Sequence, residues 1–271
     1  MLNPVQEKLL AMLQWFDSYC QKHDICYYVA GGTMLGAIRH GGFIPWDDDV
    51  DVVIPRTDYE KLIHSFDPEG SKYELESPYS GTDDYLFSFA KLYDTETTLT
   101  ENVGSGFTRG LYIDLFPIDG VGGEDWLLNF KKYNRFRSLL LTRTCAVRKG
   151  RSFLKNFVII MVKWIPGFIL NNKKLSIKVD RAAARLDYGS SDYVGNLMGA
   201  YGKKEILRKE IFGRPTRYAF ENIEVNGPER YNEYLTTIYG DWNQIPPENK
   251  RHGKHSYLLL DLEHSYKDQT R

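Results

Sequence analysis

One stretch, residues 29–55, constrains this chain more than any other: VAGGTMLGAIRHGGFIPWDDDVDVVIP. It runs into Gly31-Gly32-Thr33, turns at Gly41-Gly42, and reaches Asp47, Asp48, Asp49 and Asp51 before closing on Val52-Val53-Ile54-Pro55. Val50, Val52, Val53 and Ile54 describe a buried strand, yet its opening is acidic. Residues two apart on a strand share a face, so Asp49 and Asp51 project together, about 7 Å apart at Cα. Carboxylates held so close repel unless a cation lies between them. A hard, oxygen-liganded ion, Mg²⁺ (or Mn²⁺), suits the pair, with substrate phosphate completing its shell. Gly31, Gly32 and Thr33 supply the complement. The glycines admit a phosphate to the backbone, and Thr33 is placed to cap a helix whose free N–H groups attract anions. Each signal alone is weak: an acidic cluster is as often a solvated loop, and Gly-Gly-Thr is more often a turn. Together they point to phosphoryl or nucleotidyl transfer. An EF-hand is excluded, because Val52 stands where its sharp turn needs Gly and Asp58 where its bidentate Glu belongs.

The remaining composition sets bounds. A chain of 271 residues, 42% apolar, can form one large domain or one domain with an insert. A net charge of −1 argues against nucleic acid as a partner. Cys20, Cys26 and Cys145 form no CxxC pair. With no signal peptide at the start, they read as buried thiols in a reducing, cytoplasmic setting.

Hydrophobic periodicity predicts a helix over 3–24, with Val5, Leu9, Met12, Leu13, Phe16 and Cys20 on one face. A strand follows at 25–30, a short helix at 33–39 and a strand at 49–54. Thr57 to Glu60 form a capping box that opens a helix to about residue 66. Strands are expected at 73–76, 87–94, 97–101 and 110–120. The last reads GLYIDLFPIDG, with Asp114 inside an apolar run. A lone carboxylate there needs a partner or a metal, which makes Asp114 the candidate third ligand beside Asp49 and Asp51; the bland alternative is an edge residue facing water. Asp119, before Gly120, reads as a turn residue. Residues 180–210 read as helical segments around a Gly-rich turn, 211–227 as a hairpin, and 228–240 as a helix from Pro228.

A family resemblance rests on these motifs. GGTMLGAIRHGGFIPWDDDVDVVIPRTDYEKL, FAKLYD and GLYIDLFPIDG resemble the LicD family of phosphocholine transferases, which is related to fukutin-related proteins. The likeness resumes in Phe220-Glu221, Tyr239-Gly240-Asp241 and PPENKRHGKH (246–255). It implies an α+β fold: a nucleotidyltransferase-like mixed sheet flanked by helices, with a basic, mostly helical middle section. The expected units are a catalytic core at 1–125, a basic section at 126–205, and a C-terminal segment at 206–271 that packs back on the core. The resemblance further implies transfer of phosphocholine from CDP-choline to a sugar hydroxyl of a lipid-linked, cell-surface glycan precursor of teichoic acid or lipopolysaccharide type. Asp49, Asp51 and Asp114 are then the catalytic and metal-binding residues, Asp47 a ligand through water, and Asp48 faces away. Gly31, Gly32, Thr33, Lys91 and Arg109 are candidate phosphate contacts, joined by Arg251, His252 and His255 from the basic tail. Trp46, Tyr93, Tyr112 and Trp242 are candidate walls for a choline headgroup. Two other readings remain: a transferase of another CDP-alcohol, such as CDP-ribitol, or nucleotide on the same fold, and a non-catalytic scaffold in glycan assembly.

The middle section adds a separate signal. Residues 126–179 hold thirteen Lys or Arg and no Asp or Glu. Inside it, FLKNFVIIMVKWIPGFIL (153–170) has the length of a membrane span, but Lys155, Lys163 and Pro166 interrupt it. Two readings stay open: a helix lying in a membrane interface, with contact through 148–178 at the inner face of the cell membrane, or a buried helix of a small subdomain.

Overall fold

The computed structural model describes residues 2–80, 85–103, 106–144, 152–164, 171–251, 253 and 257–268. Helix α1 (Pro4–Lys22) begins with a reciprocal cap. Asn3 Oδ1 accepts the Gln6 N–H at 2.9 Å and Gln6 Oε1 accepts the Asn3 N–H at 3.2 Å, with Pro4 in the first turn. Leu9, Met12, Leu13, Phe16 and Cys20 are buried, as their spacing predicts. At roughly 1.5–3 kcal/mol per large apolar side chain, that stripe holds α1 to the sheet. The helix also braces the acidic loop, since Gln6 Nε2 donates to the Asp47 carbonyl at 3.0 Å.

The chain then forms β1 (Tyr28–Val29), α2 (Gly31–His40), β2 (Asp51–Pro55) and α3 (Arg56–Ser65). The expected capping box does not form. Pro55 is the N-cap of α3, with no side-chain cap, and Arg56 turns inward. Its guanidinium grips both oxygens of Asp119 at 2.6 and 2.9 Å and donates to Asp180 at 2.9 Å. Although burial works against its charge, the two carboxylates hold Arg56 above its ordinary range. Asp119 is therefore not a turn residue; it is fully buried as the partner of Arg56.

Strands β3 (Tyr73–Glu76), β4 (Ala90–Glu101) and β5 (Phe107–Gly122) follow. The strands expected at 87–94 and 97–101 are one, β4, with a register break between Asp94 and Leu99. Thr97 fills that bulge: its hydroxyl donates to the Asp94 carbonyl at 2.8 Å and accepts the Leu111 N–H at 2.7 Å. Next come α4 (Trp126–Thr144), α5 (Phe153–Lys163) and α6 (Asn172–Ala183), the basic helical section. Phe130, Tyr133 and Leu140 of α4 meet Leu175 and Val179 of α6 in a satellite core beside Val121 and Leu197.

The region 180–210 departs from its helical reading. After α6 it forms β6 (Tyr193–Gly195) and β7 (Ile206–Arg208), which extend the sheet from the end of β5. Val194, Ile206 and Leu207 are buried there, the apolar residues of two short strands. A four-residue helix, α7 (Lys209–Phe212), leads into the expected hairpin, β8 (Thr216–Phe220) with β9 (Ile223–Gly227). Helix α8 (Tyr231–Tyr239) starts three residues after Pro228, and β10 (Tyr257–Asp261) closes the chain.

The main sheet runs β1-β2-β5-β4-β10, with β2 and β5 parallel and the other neighbours on that path antiparallel. This is the mixed, helix-flanked sheet expected from the sequence. The C-terminal part folds back on the first half. Strand β10 pairs with β4, Tyr28 Oη donates to the Gly213 carbonyl at 2.7 Å, and Glu221 Oε1 accepts the Phe43 N–H at 2.9 Å.

Candidate active site

Strand register gathers the charged groups. Asp51 opens β2 opposite Asp114 of the parallel β5, and Lys91 of β4 lies opposite Asp114 on the other side. Register partners share a face, so an acid, an acid and a base stand in one row across three strands. Asp49 lies two residues before β2 in sequence register with Asp51. Asp47, Asp49, Asp51 and Asp114 line a cavity of about 390 Å³ together with Gly31, Gly32, Phe89 and Phe116. Among the described residues, Asp47, Asp48 and Asp49 bring carboxylate oxygens within 4.8 Å of one another. Asp48 is nonetheless absent from the cavity lining, and its carboxylate lies beside Gly253 of the tail.

The glycine turn has a role the sequence did not reveal. Gly31 and Gly32 are the first turn of α2, not a loop before it. Gly31 has φ +52°, and a Cβ on it would stand 2.9 Å from Asp51 Oδ2; a Cβ on Gly32 would stand 2.5 Å from Asp47 Oδ2. The missing side chains thus make room for two carboxylates at the N-terminus of a helix, where the backbone dipole favours negative charge. Tyr234 Oη of α8 accepts the Gly31 N–H at 3.0 Å. Thr33 does not cap α2, whose N-cap is Ala30. Its hydroxyl instead accepts the Asp51 N–H at 2.9 Å, tying α2 to the first residue of β2.

The row of acids carries unbalanced charge. Burial raises the Asp51 carboxyl well above its ordinary range, and Asp49, Asp114, Glu205 and Asp47 raise it further. An oxygen-only donor set in which a carboxylate is disfavoured by its own neighbours fits a hard divalent cation. Lys91, expected to touch phosphate, is 1% exposed and committed elsewhere. Its ammonium is 2.8 Å from Asp114 Oδ1 and 3.2 Å from Glu101 Oε1, with the Tyr112 ring centroid at 3.3 Å. Arg109 does not reach the cavity either; it pairs with Glu76 at 2.9 Å over the Phe107 ring. Of the basic tail, Arg251 lies over the Trp46 ring at 5.5 Å, and its Nε donates to the Pro246 carbonyl. His252 and His255 lie outside the described residues.

A second chamber of about 320 Å³ shares Gly32 and Asp47 with the first and is walled by Trp46, Tyr239, Trp242 and Asp241. Of the four aromatic residues considered from sequence, Trp46 and Trp242 line it, while Tyr93 and Tyr112 are buried in the core. A further part of the first cavity's lining was missed. It consists of Arg137 from α4 and of Asn196, Tyr201 and Glu205 from the segment joining β6 to β7. Glu205 is 9% exposed, and its Oε1 accepts the Tyr201 N–H at 2.8 Å. Burial pushes its carboxyl up to about 7, against the lowering effect of that hydrogen bond and of Arg137. Nothing local marks either residue: Arg137 is one cation in a basic run, and Glu205 lies far from Asp51 along the chain.

Residues 24–142 match the family described as LicD/FKTN/FKRP, nucleotidyltransferase domain. The chain is 29% identical over 266 residues to the lipopolysaccharide cholinephosphotransferase LicD of Haemophilus influenzae, covering 95% of this chain and 98% of that protein. An uncharacterised protein of Rickettsia prowazekii is 37% identical over 62 residues, 22% of this chain and 23% of its own length. One of Rickettsia typhi is 42% identical over 48 residues, 17% of this chain and 16% of its own. Asp49, Asp51 and Asp114 all lie inside the matched span, so residues 24–142 carry the LicD/FKTN/FKRP nucleotidyltransferase domain, and the chain as a whole is similar to LicD.

Proposed function

We propose that this chain is a transferase of phosphate-containing groups that moves phosphocholine from CDP-choline to a sugar hydroxyl of a lipopolysaccharide or similar lipid-linked cell-surface glycan. The observation that carries the reading is the cavity that Asp47, Asp49, Asp51 and Asp114 line together with the first turn of α2. Similarity along nearly the whole chain to a lipopolysaccharide cholinephosphotransferase supports that substrate class.

Asp49, Asp51 and Asp114 are the residues that would hold Mg²⁺ (or Mn²⁺), with Asp47 close enough to ligate through water. Such an ion, when bound, neutralises charge on the donor's phosphates and on the leaving CMP. The chain's own groups do the rest. Thr33 and the Gly31–Asp51 contact fix the carboxylates against α2, so the site is formed before substrate arrives. Lys91 balances Asp114 from the neighbouring strand. Glu205, with its carboxyl near 7, is matched to receive the acceptor's hydroxyl proton at neutral pH. The acceptor oxygen forms its bond to the choline-bearing phosphorus as the bond to CMP breaks.

The adjoining chamber suits the headgroup. A quaternary ammonium is held by aromatic faces at roughly 0.5–2 kcal/mol per contact, and Trp46 and Trp242 stand there beside Asp241. We place the acceptor's lipid on the basic section. No helix among the described residues is long and apolar enough to cross a membrane. Helix α5 and its C-cap nevertheless expose Phe153, Leu154, Met161 and Trp164 at 85, 69, 56 and 81%. Those side chains, in a segment with thirteen cations and no acid, suit the surface of an anionic leaflet.

Phosphorus NMR tests the reaction. Purified protein with CDP-choline, Mg²⁺ and lipopolysaccharide should give CMP and a new phosphodiester signal, both abolished by EDTA. CMP formed equally in EDTA contradicts the metal assignment. CDP-choline left intact while CDP-ribitol is consumed contradicts the donor.

A further inference from the structure

Helix α4 packs through Phe130, Tyr133 and Leu140, on one face at helical spacing. Position 137 falls on that same face, where an apolar residue belongs, and it holds an arginine. Its neighbours Lys131, Lys132 and Arg135 point outward and are exposed, as cations on a helix surface are. Arg137 instead enters the cavity of the four aspartates. Among the described residues it is the one cation in a lining that includes Asp47, Asp49, Asp51, Asp114 and Glu205.

Its hydrogen bonds go to neutral acceptors. Nη2 donates to the carbonyls of Gly199 at 2.9 Å and Met198 at 3.3 Å, and Nη1 to Asn134 Oδ1 at 3.4 Å. Nε is buried and has no hydrogen-bond partner among the described residues. A guanidinium fixed by backbone carbonyls, with one buried donor left over, is short of an anion. The nearby carboxylate, Glu205, meets Arg137 through its charge alone, with Oε1 taken by the Tyr201 N–H, and it leaves the Nε donor unfilled.

We propose that Arg137, held by Met198 and Gly199, forms an oxyanion subsite for the donor's phosphate in the cavity that the aspartates line. It rests on the transferase reading only for the identity of the donor; the ligand class, a diphosphate oxyanion, follows from the cavity itself. The basic helical section is then part of the active site and not only a surface for lipid. An anion in this cavity would meet Arg137 directly, and the aspartates would need a cation to accept it.

Inorganic pyrophosphate with Mg²⁺, followed by calorimetry, is the probe. Arg137→Gln keeps an amide donor for the Met198 and Gly199 carbonyls while removing the charge. Its dissociation constant should weaken at least tenfold, Arg137→Lys should recover part of the loss, and Arg135→Gln, on the exposed side of α4, should match the wild type. The subsite is overturned if the wild type does not bind pyrophosphate, if Arg137→Gln binds within twofold of it, or if Arg135→Gln weakens binding equally. Turnover is read separately. Arg137-dependent pyrophosphate binding without CDP-choline turnover removes the donor and keeps the subsite. Normal turnover with an unchanged CDP-choline KM in Arg137→Gln removes the subsite and keeps the donor.

Discussion

Asp51 is the residue on which most of the site converges. It is the first residue of β2, the register partner of Asp114, the reason Gly31 lacks a side chain, and the residue whose N–H binds Thr33. Burial and four acids disfavour its charge, so Asp51→Asn should leave the melting temperature in EDTA unchanged or raised while transfer falls at least a hundredfold. Thermal unfolding beside CMP release checks both. Glu205 behaves differently with pH. The folded chain keeps its proton up to about 7, while the unfolded chain releases it near the ordinary 4.5. Between these values the unfolded state binds fewer protons, so stability falls as pH rises, by about 3 kcal/mol in all for one group. Glu205→Gln should flatten that part of the curve in metal-free urea titrations. Arg56 tests the buried triad: Arg56→Met leaves Asp119 and Asp180 facing each other and should destabilise by about 3–5 kcal/mol. At this scale the Asp-x-Asp pair and Asp114 were legible, because a carboxylate inside an apolar strand stands out in a short window. Arg137 and Glu205 were not, since their meaning depends on α4 and the β6–β7 segment meeting across the cavity.

Among elements, local pattern served best where burial is simple. Helix α1, β2, β5 and the β8–β9 hairpin follow from period and turn chemistry. Strands β6 and β7 do not, because three-residue strands have too few positions to show alternation, and they form only by pairing with the end of β5. The early start of α3 likewise depends on Asp119 and Asp180, distant in sequence from Arg56. Helix α5 carries the prediction that belongs here. It leans on α4, where Arg143 Nη1 donates to the Val162 carbonyl at 2.6 Å, and turns Phe153 and Trp164 to solvent. The double substitution Phe153→Ser, Trp164→Ser should reduce cosedimentation with phosphatidylglycerol vesicles at least fivefold. It should leave the melting temperature within a few degrees, because exposed positions contribute little to stability. Equal cosedimentation of the variant and the wild type contradicts the lipid contact.

For the whole molecule, the site is assembled from both ends of the chain. Gln6 of α1 supports the Asp47 carbonyl, Glu221 holds Phe43, Tyr234 receives the Gly31 N–H, and β10 closes the sheet beside β4. The sequence motifs near Phe220-Glu221 and Tyr239-Gly240-Asp241 thereby acquire a physical role as the clamp and chamber wall around the aspartates. The central claim is that these carboxylates form one metal-dependent transfer site. The most direct test is the rate of CMP release from CDP-choline, measured for wild type and Asp51→Asn, each with Mg²⁺ and with EDTA. The account predicts release only from the wild type with Mg²⁺, with both proteins equally folded. Release by Asp51→Asn at a rate near the wild type's, or undiminished release in EDTA, would contradict it.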